Sequence, residues 1–249
     1  MKTRRRLRHP LRSARALVAH RRSAGSDLVL GTILAAVAGA ANAGGFFALG
    51  HYTSHMTGYL SALADNVAIA NLRVALISAT AICAFVSGAG FCAMLINWAR
   101  SHAGHRQYAW PLVVQGAFLA CFSFGGLLTG EIGRVFSLTC LCFIMGLQNA
   151  TITKISGARI RTTHATGMVT DIGIELGRAA YGLLRPLSGV TGDRSKLRIL
   201  TQLVGAFLLG GILGATGYHL MGFLFSIPLS VILLSLGLPA VLARPRVRF

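Results

Sequence analysis

The chain has 249 residues, of which 54% are hydrophobic and only 12% are charged, and its mean hydropathy is +0.65. A soluble globular chain is usually about 25% charged, so this composition excludes an ordinary soluble domain. The formal net charge of +18 is carried by Lys and Arg residues in the N-terminal tail and between apolar runs. Multi-pass membrane proteins distribute cations in this way, so we do not expect a nucleic-acid partner.

Residues 1–26 form a basic segment that contains nine Lys and Arg residues and no acid. We expect a disordered cytoplasmic tail that is attracted to anionic lipid headgroups. Ala41-Asn42-Ala43 resembles a signal-peptide cleavage site after an apolar stretch. The basic region is long for a signal peptide, however, and the same Asn-Ala pair returns in the second half, so cleavage is not expected.

Six apolar segments follow, each near the length of about 20 residues that a membrane-spanning helix needs. Two further stretches are predicted as short broken or re-entrant helices, at about 59–70, interrupted by Asp65 and Asn66, and at about 168–184. Residues 185–198 are predicted as a polar connector, and the turn between the last two spans as lying near 217–219. The first four predicted spans lie at about 28–49, 74–98, 108–129 and 135–152, and the last two within the charge-free stretch 199–243.

One hexapeptide occurs twice, as Thr-Ser-His-Met-Thr-Gly at 53–58 and as Thr-Thr-His-Ala-Thr-Gly at 162–167. Each copy follows an apolar segment that ends in Asn-Ala, with a glycine three residues before the Asn. These residues are Gly39 and Asn42 in the first half, and Gly146 and Asn149 in the second. The recurrence predicts two copies of one structural unit.

The charges favour six spans with both termini in the cytoplasm. Every predicted cytoplasmic segment is net basic, and every external one is about neutral. With three spans in each copy, the two copies insert with opposite orientation. We therefore predict membrane repeats at 27–134 and 135–243, with a basic C-terminal tail at 244–249. If the two short helices also cross the membrane, eight spans and parallel halves result.

The residue types of the repeated motif are suited to a break in a helix. Its glycine tolerates an unusual backbone conformation, and Thr57 and Thr166 can cap the helix that follows. The N-terminus of a broken helix attracts anions, and His55 and His164 add imidazole, the side-chain type whose ordinary pKa is nearest neutral pH. The alternative is purely structural, with Thr acting as a cap and His bonded to a backbone carbonyl.

Two sets of candidate site residues follow from these motifs. Asp171 and Glu175 are candidates for proton coupling, although with Arg178 they lie on one helix face and form, on the alternative interpretation, a self-paired interfacial stripe. The candidate solute-binding residues are Asn42, Thr53, His55, Thr57, Gly58, Gln148, Asn149, Thr162, His164, Thr166 and Gly167. No catalytic set, metal site or cofactor is predicted.

The same motifs resemble those of a known family. Over about residues 27–242, the chain resembles the YoaK-like family of bacterial integral membrane proteins. The motifs that carry the resemblance are Gly39-x-x-Asn42-Ala43 and residues 55–60, 146–150 and 162–167. The family is named for a domain of unknown function. The resemblance implies a multi-pass inner-membrane protein and supplies no substrate.

These observations favour an all-α membrane protein that transports a small, unidentified solute. One alternative is a membrane binding or scaffold protein whose basic tail holds anionic lipid or a cytoplasmic partner. The other, which the sequence favours least, is a membrane enzyme that acts on lipid through His55 or His164. The substrate, the direction of transport, the coupling ion and the oligomeric state are not predicted.

Overall fold

A computed structural model describes residues 24–103, 107–128, 130–156 and 165–243. The described residues form helices and no β-strand, which confirms the all-α prediction. Short 3₁₀ turns lie at Ser123–Leu127, Pro186–Ser188 and Gly222–Phe225. The α-helices are α1 (Ala24–Leu49), α2 (Met56–Ala68), α3 (Leu72–Ala103), α4 (Ala109–Phe122), α5 (Gly130–Ser156), α6 (Ala165–Leu184), α7 (Arg194–Met221) and α8 (Ser226–Val241).

Five segments of the described chain are long and apolar enough to cross a membrane, as expected of a multi-pass membrane protein. They are Gly25–Leu49, Leu72–His102, Ala109–Leu127, Gly130–Ile155 and Arg194–Val241. The last contains 48 residues, and one straight helix of that length would extend about 72 Å, more than twice the bilayer core.

This last segment is broken at Gly222, where the backbone adopts a φ of +58°. A left-handed φ is accessible to glycine at little cost, so the helix ends here rather than near 217–219 as predicted. The Tyr218 hydroxyl lies 2.8 Å from the Ser226 Oγ, although residues eight apart would be separated by about 12 Å along a continuous helix. The segment therefore holds two helices, α7 and α8.

Several other predicted boundaries shift. Helix α5 begins at Gly130, so the residues between the third and fourth predicted spans, with Glu131 and Arg134 among them, belong to its first turns. Asp65 and Asn66 do not interrupt α2, because the Asn66 amide donates to the Ala62 carbonyl and stays within the helix. Helix α7 begins inside the predicted polar connector, where the Asp193 side chain accepts bonds from the first turn and caps it.

Two helix pairs form the centre of the bundle, and in each pair the helices are parallel. Along α1 and α7, Ala36 meets Gly210 and Ala40 meets Gly214. Along α3 and α5, Gly88 meets Phe143, and Cys92 meets Thr151. Contacts that advance in the same direction along both helices define a parallel pair.

The remaining contacts run in opposite directions. On α4 and α8, Gly116 meets Ser230, while Gly237 near the end of α8 meets Ala109 at the start of α4, so these helices are antiparallel. Helices α1 and α5 are also antiparallel. Leu34 near the start of α1 bonds to Gln148 late in α5, whereas Thr53 after α1 bonds to Cys142 earlier in α5.

Glycine permits the closest approach within each parallel pair. A Cβ atom on Gly39 would overlap the Phe207 carbonyl, and one on Gly146 would overlap the Phe85 carbonyl. Close contact between backbones is the usual way in which small residues hold apolar helices together in lipid, where burial of apolar surface gives no driving force. Gly39 and Gly146 stand at the same place in the two motif-bearing segments.

Candidate functional site

The loop of the first motif lies between α1 and α2 and is bonded to α1. Gly50, with a φ of +73°, ends α1. The Asn42 Oδ1 accepts bonds from both the backbone N–H and the hydroxyl of Ser54, each at 3.1 Å. Asn42 is buried, so this amide fixes the loop from within the membrane helix. Asn42 therefore bonds the motif that follows its own helix.

The two threonines do not cap the helices that follow. His55 is the N-cap residue of α2 and makes no side-chain capping bond, and Thr57 is already the second residue of the helix. Thr166 is likewise the second residue of α6, which begins at Ala165. The predicted capping role is wrong, because each helix begins one residue before its threonine.

A cavity of about 1170 Å³ lies where these two helix starts meet the transmembrane helices. Its walls come from α1, the motif loop, α3, α5 and α7. Its polar side chains are those of Asn42, Tyr52, Ser54, His55, Thr57, Asn149, Thr166 and His219. Its larger apolar side chains are Phe46, Phe47, Met56, Phe85, Phe207, Leu208 and Ile212.

Five of the candidate solute-binding residues meet in this cavity. They come from segments that are distant in sequence, with Asn42, His55 and Thr57 in the first half and Asn149 and Thr166 in the second. Three pairs of lining residues hold corresponding places in the two halves. These pairs are Asn42 with Asn149, Thr57 with Thr166, and Phe85 with Phe207.

The other candidates lie elsewhere. Thr53 is fully buried and its carbonyl accepts a bond from Cys142, so it attaches the loop to α5. Gln148 accepts a 2.6 Å bond from Gln115 and donates to the Leu34 carbonyl, which links α5 to α4 and α1. Thr162 and His164 lie outside the described residues.

The two motif glycines differ in their surroundings. A Cβ atom on Gly58 would overlap the His55 ring, so this glycine allows the imidazole to lie against the first turn of α2. A Cβ atom on Gly167 would meet no described residue within 4 Å. Neither glycine lines the cavity, and only Gly58 has a steric role in placing a lining residue.

Asp171 and Glu175 lie on α6, away from the cavity lining. The Lys196 Nζ is 3.7 Å from Asp171 Oδ2 and 3.3 Å from Glu175 Oε1, while Arg178 Nη1 is 3.4 Å from Glu175 Oε2. This arrangement agrees with the ion-paired interpretation and adds a partner from α7 that the sequence did not predict. A role for either acid in proton coupling stays a prediction.

Glu175 is the buried centre of this cluster, with a side chain only 4% exposed. Its Oε2 accepts a 2.9 Å hydrogen bond from the Asp193 backbone N–H. That bond, followed by those of Lys196 and Arg178, lowers the pKa of Glu175 below its ordinary value. The carboxylate therefore remains charged and holds α6 against the start of α7.

Sequence reasoning missed the aromatic wall of the cavity and one of its histidines. Phe46 and Tyr52 stack with their ring centroids 5.1 Å apart, and His219 enters from the end of α7. None of these residues belongs to the repeated motif. The only available signal was the aromatic residues immediately before the first copy.

The lining contains hydroxyl, amide and imidazole groups and, among the described residues, no Asp, Glu, Lys or Arg. A mostly apolar cavity with a few polar groups is typical of a small-molecule site. The geometry is therefore suited to binding and orienting a small solute.

Comparison with known proteins identifies a family but no activity. A family model described as "protein of unknown function (DUF1275)" matches residues 30–238. This match confirms the resemblance to the YoaK-like proteins, which are members of that family. Neither the curated proteins nor the solved structures include a significant match to the chain.

Proposed function

The chain belongs to the DUF1275 family of proteins of unknown function, and from its cavity we propose that it is a small-solute transporter of the inner membrane. In this proposal it has six spans, formed by α1, α3, α4, α5, α7 and α8. They divide into two inverted halves of three spans. Helices α2 and α6 enter the membrane region only at their first turns.

The helix directions support this arrangement. If α1 runs outward, its parallel partner α7 also runs outward. Helix α5 is antiparallel to α1 and therefore runs inward, as does α3, which is parallel to α5. The first spans of the two halves, α1 and α5, then run in opposite directions. Eight spans in parallel halves would require α1 and α5 to be parallel. The 13 residues of α2 also extend only about 20 Å, less than the bilayer core.

The interhelical contacts support a relation between the halves. The first span of each half packs against the second span of the other, as α1 with α7 and α5 with α3, and the third spans α4 and α8 pack together. The Gly39–Phe207 contact corresponds to Gly146–Phe85. An internal duplication explains why corresponding residues make corresponding contacts.

One observation carries the transport proposal: corresponding residues of both halves line a single cavity. Asn42 faces the cavity with Asn149, and Thr57 with Thr166. In transporters built from inverted repeats, the solute site lies where the repeats meet, near helix breaks. A tilt of one half against the other would then open the cavity to each side of the membrane in turn.

Labelling with a membrane-impermeant thiol reagent tests this proposal without knowledge of the solute. Cys83 and Cys121 are exposed and are first replaced by Ala, whereas Cys92, Cys140 and Cys142 are buried. Thr57→Cys is then labelled in right-side-out and in inverted membrane vesicles. We expect reaction from both faces, because alternating access exposes the cavity to each.

Two exposed positions outside the cavity supply the matched controls. Asn71→Cys, between α2 and α3, and Ser188→Cys, between α6 and α7, should each react from one face only, and from opposite faces. Thr57→Cys that reacts from a single face contradicts transport and favours the scaffold alternative. In that case deletion of residues 2–26 should remove the binding partner.

A further inference from the structure

The chemistry of the cavity lining specifies a class of ligand, if the cavity is the solute site proposed above. We infer that it binds an aromatic organic anion, namely a carboxylate or sulfonate attached to one or two rings. Three features of the lining carry this inference: its stacked aromatic side chains, the lack of charged side chains among its described residues, and the direction in which the Asn42 amide is held.

The aromatic side chains favour a flat apolar ligand. Phe46 and Tyr52 form a stacked pair on the cavity wall, and each is 51% exposed. Phe85 and Phe207 line the same cavity from α3 and α7. A ligand ring placed against these faces would cover apolar surface and gain the added stabilisation of aromatic contacts.

The charge of the lining disfavours a cationic ligand. No Asp or Glu is among the described lining residues, so an ammonium group would enter a largely apolar space without an opposite charge. Desolvating an unpaired charge is costly. An anion requires no basic side chain if enough N–H groups converge on it.

The lining supplies such donors. The Asn42 Oδ1 accepts both bonds from Ser54, so the group that Asn42 can offer the cavity is its Nδ2 donor. The His55 and His219 rings also line the cavity and can donate from a ring N–H. In addition, α2 and α6 begin at the cavity with Met56 and Ala165, and the first N–H groups of a helix have no partners within it. The Met56 N–H donates to the Ser54 carbonyl at 3.1 Å, so the donors that α2 can offer follow Met56.

The size and rim of the cavity fit an amphiphilic ligand. Its volume of about 1170 Å³ is slightly above the usual range for small-molecule sites and accommodates two fused rings. Leu208 and Ile212 on the α7 side are 61% and 54% exposed. An apolar rim of this kind admits a molecule whose rings partition into the bilayer.

Equilibrium binding to the full chain in lipid nanodiscs tests the ligand class. The probes are naphthalene-2-sulfonate, the neutral naphthalene-2-sulfonamide and the cationic 2-naphthylmethylammonium, which share one ring system. Empty nanodiscs correct for partitioning into lipid. We expect the sulfonate to bind at least about tenfold more tightly than the sulfonamide, since hydrogen bonds to a charged group are the stronger ones. No specific binding of the ammonium probe is expected.

Asn42→Asp is the decisive variant. Its carboxylate keeps both acceptor positions for Ser54 but replaces the amide donor with a negative charge. Sulfonate binding should fall by at least about tenfold, and the ammonium probe should begin to bind. His219→Glu makes the same change of charge at an exposed position of the wall, and it serves if Asn42→Asp fails to fold. His102→Gln, at an exposed position outside the lining, should bind the sulfonate as the unmodified chain does.

Each outcome decides the inference. Tighter binding of the sulfonamide or of the ammonium probe overturns the anionic class, as does sulfonate binding that neither acidic variant weakens. If no probe binds, the aromatic-anion inference is wrong. The transport proposal is then judged separately by labelling of Thr57→Cys, which requires no ligand.

Discussion

The helices that follow the two copies of the motif, α2 and α6, are attached to the bundle by different interactions. Before α2, Ser54 bonds to Asn42, and Tyr59 is buried in an apolar cluster with Cys142. In contrast, α6 is attached through Glu175 and Asp171 to Lys196 and to the Asp193 backbone N–H.

This difference shows that two similar hexapeptides can begin helices at one cavity while the rest of each helix is held by unrelated chemistry. The attachment of α2 combines hydrogen bonds to the Asn42 side-chain amide with apolar contact inside the bundle. That of α6 is electrostatic, with Lys196 and Arg178 about half exposed. We therefore expect α6 to respond to pH and salt, and α2 to respond to neither.

The largest effect should come from breaking the close contact between α3 and α5 at the centre of the bundle. Gly146→Leu places a side chain against the Phe85 carbonyl and should destabilise the bundle by about 3 kcal/mol. The measurement is thermal unfolding of the purified chain in detergent. Gly90 on α3 is exposed, and a Cβ atom there would meet nothing within 4 Å in the described part of the chain, so Gly90→Leu should unfold near the unmodified temperature. Equal loss in both variants would contradict the packing role of Gly146.

Removing the amide that fixes the first motif should loosen α2 alone. Asn42→Leu leaves the Ser54 N–H without its bond, at a cost of about 1–3 kcal/mol. Hydrogen exchange should quicken at residues 50–60 and stay unchanged at residues 165–184. Asn66→Leu, which removes only a bond within α2, is the control. Faster exchange in both regions would mean that the two attachments are coupled.

Neutralising Glu175 should loosen α6 alone. Glu175→Gln removes the charge that Lys196 and Arg178 contact, so exchange at residues 165–184 should quicken while residues 56–68 keep their rate. The effect should be smaller than that of Asn42→Leu, since both cations are partly exposed to solvent. Glu131→Gln, in an exposed pair with Arg73, should change neither region.

The pH dependence of α6 follows from the lowered pKa of Glu175. Its ordinary value is about 4.5, and a lowered pKa in the folded state means that the charged form is stabilised by folding. This stabilisation is complete above pH 4.5 and is lost as the pH falls through the folded-state pKa. Protection of the α6 amides, taken as the ratio of intrinsic to observed exchange rate at each pH, should fall at low pH and in 1 M salt, a condition in which charges are screened within about 3 Å. An α6 insensitive to both conditions would refute the electrostatic attachment.

The smallest effect concerns Tyr59 on α2. Its hydroxyl is buried and has no hydrogen-bond partner within the described part of the chain. Tyr59→Phe should therefore leave the unfolding temperature unchanged or raise it slightly. The corresponding change in the free energy of unfolding is at most about 1 kcal/mol. A clear fall would show that the hydroxyl has a bonding role, and that α2 is held by more than apolar contact.

The sequence by itself determined the helical class and the apolar segments. These features are local, because apolar runs of about 20 residues specify spans. The Asn-Ala pair and the repeated hexapeptide can likewise be recognised in the sequence, since each occurs once in each half. The sequence also placed Asp171, Glu175 and Arg178 on one face, because helical periodicity fixes which residues are neighbours.

Only the tertiary structure decided which of these residues meet. Asn42 and Asn149 come together in one cavity, while Gln148, adjacent to Asn149, turns away to bond Gln115. Lys196 reaches Glu175 from another helix, and Phe207 and His219 complete the cavity from α7. Such contacts depend on how helices cross and how closely glycines let their backbones approach, and neither quantity is encoded in the periodicity of one segment.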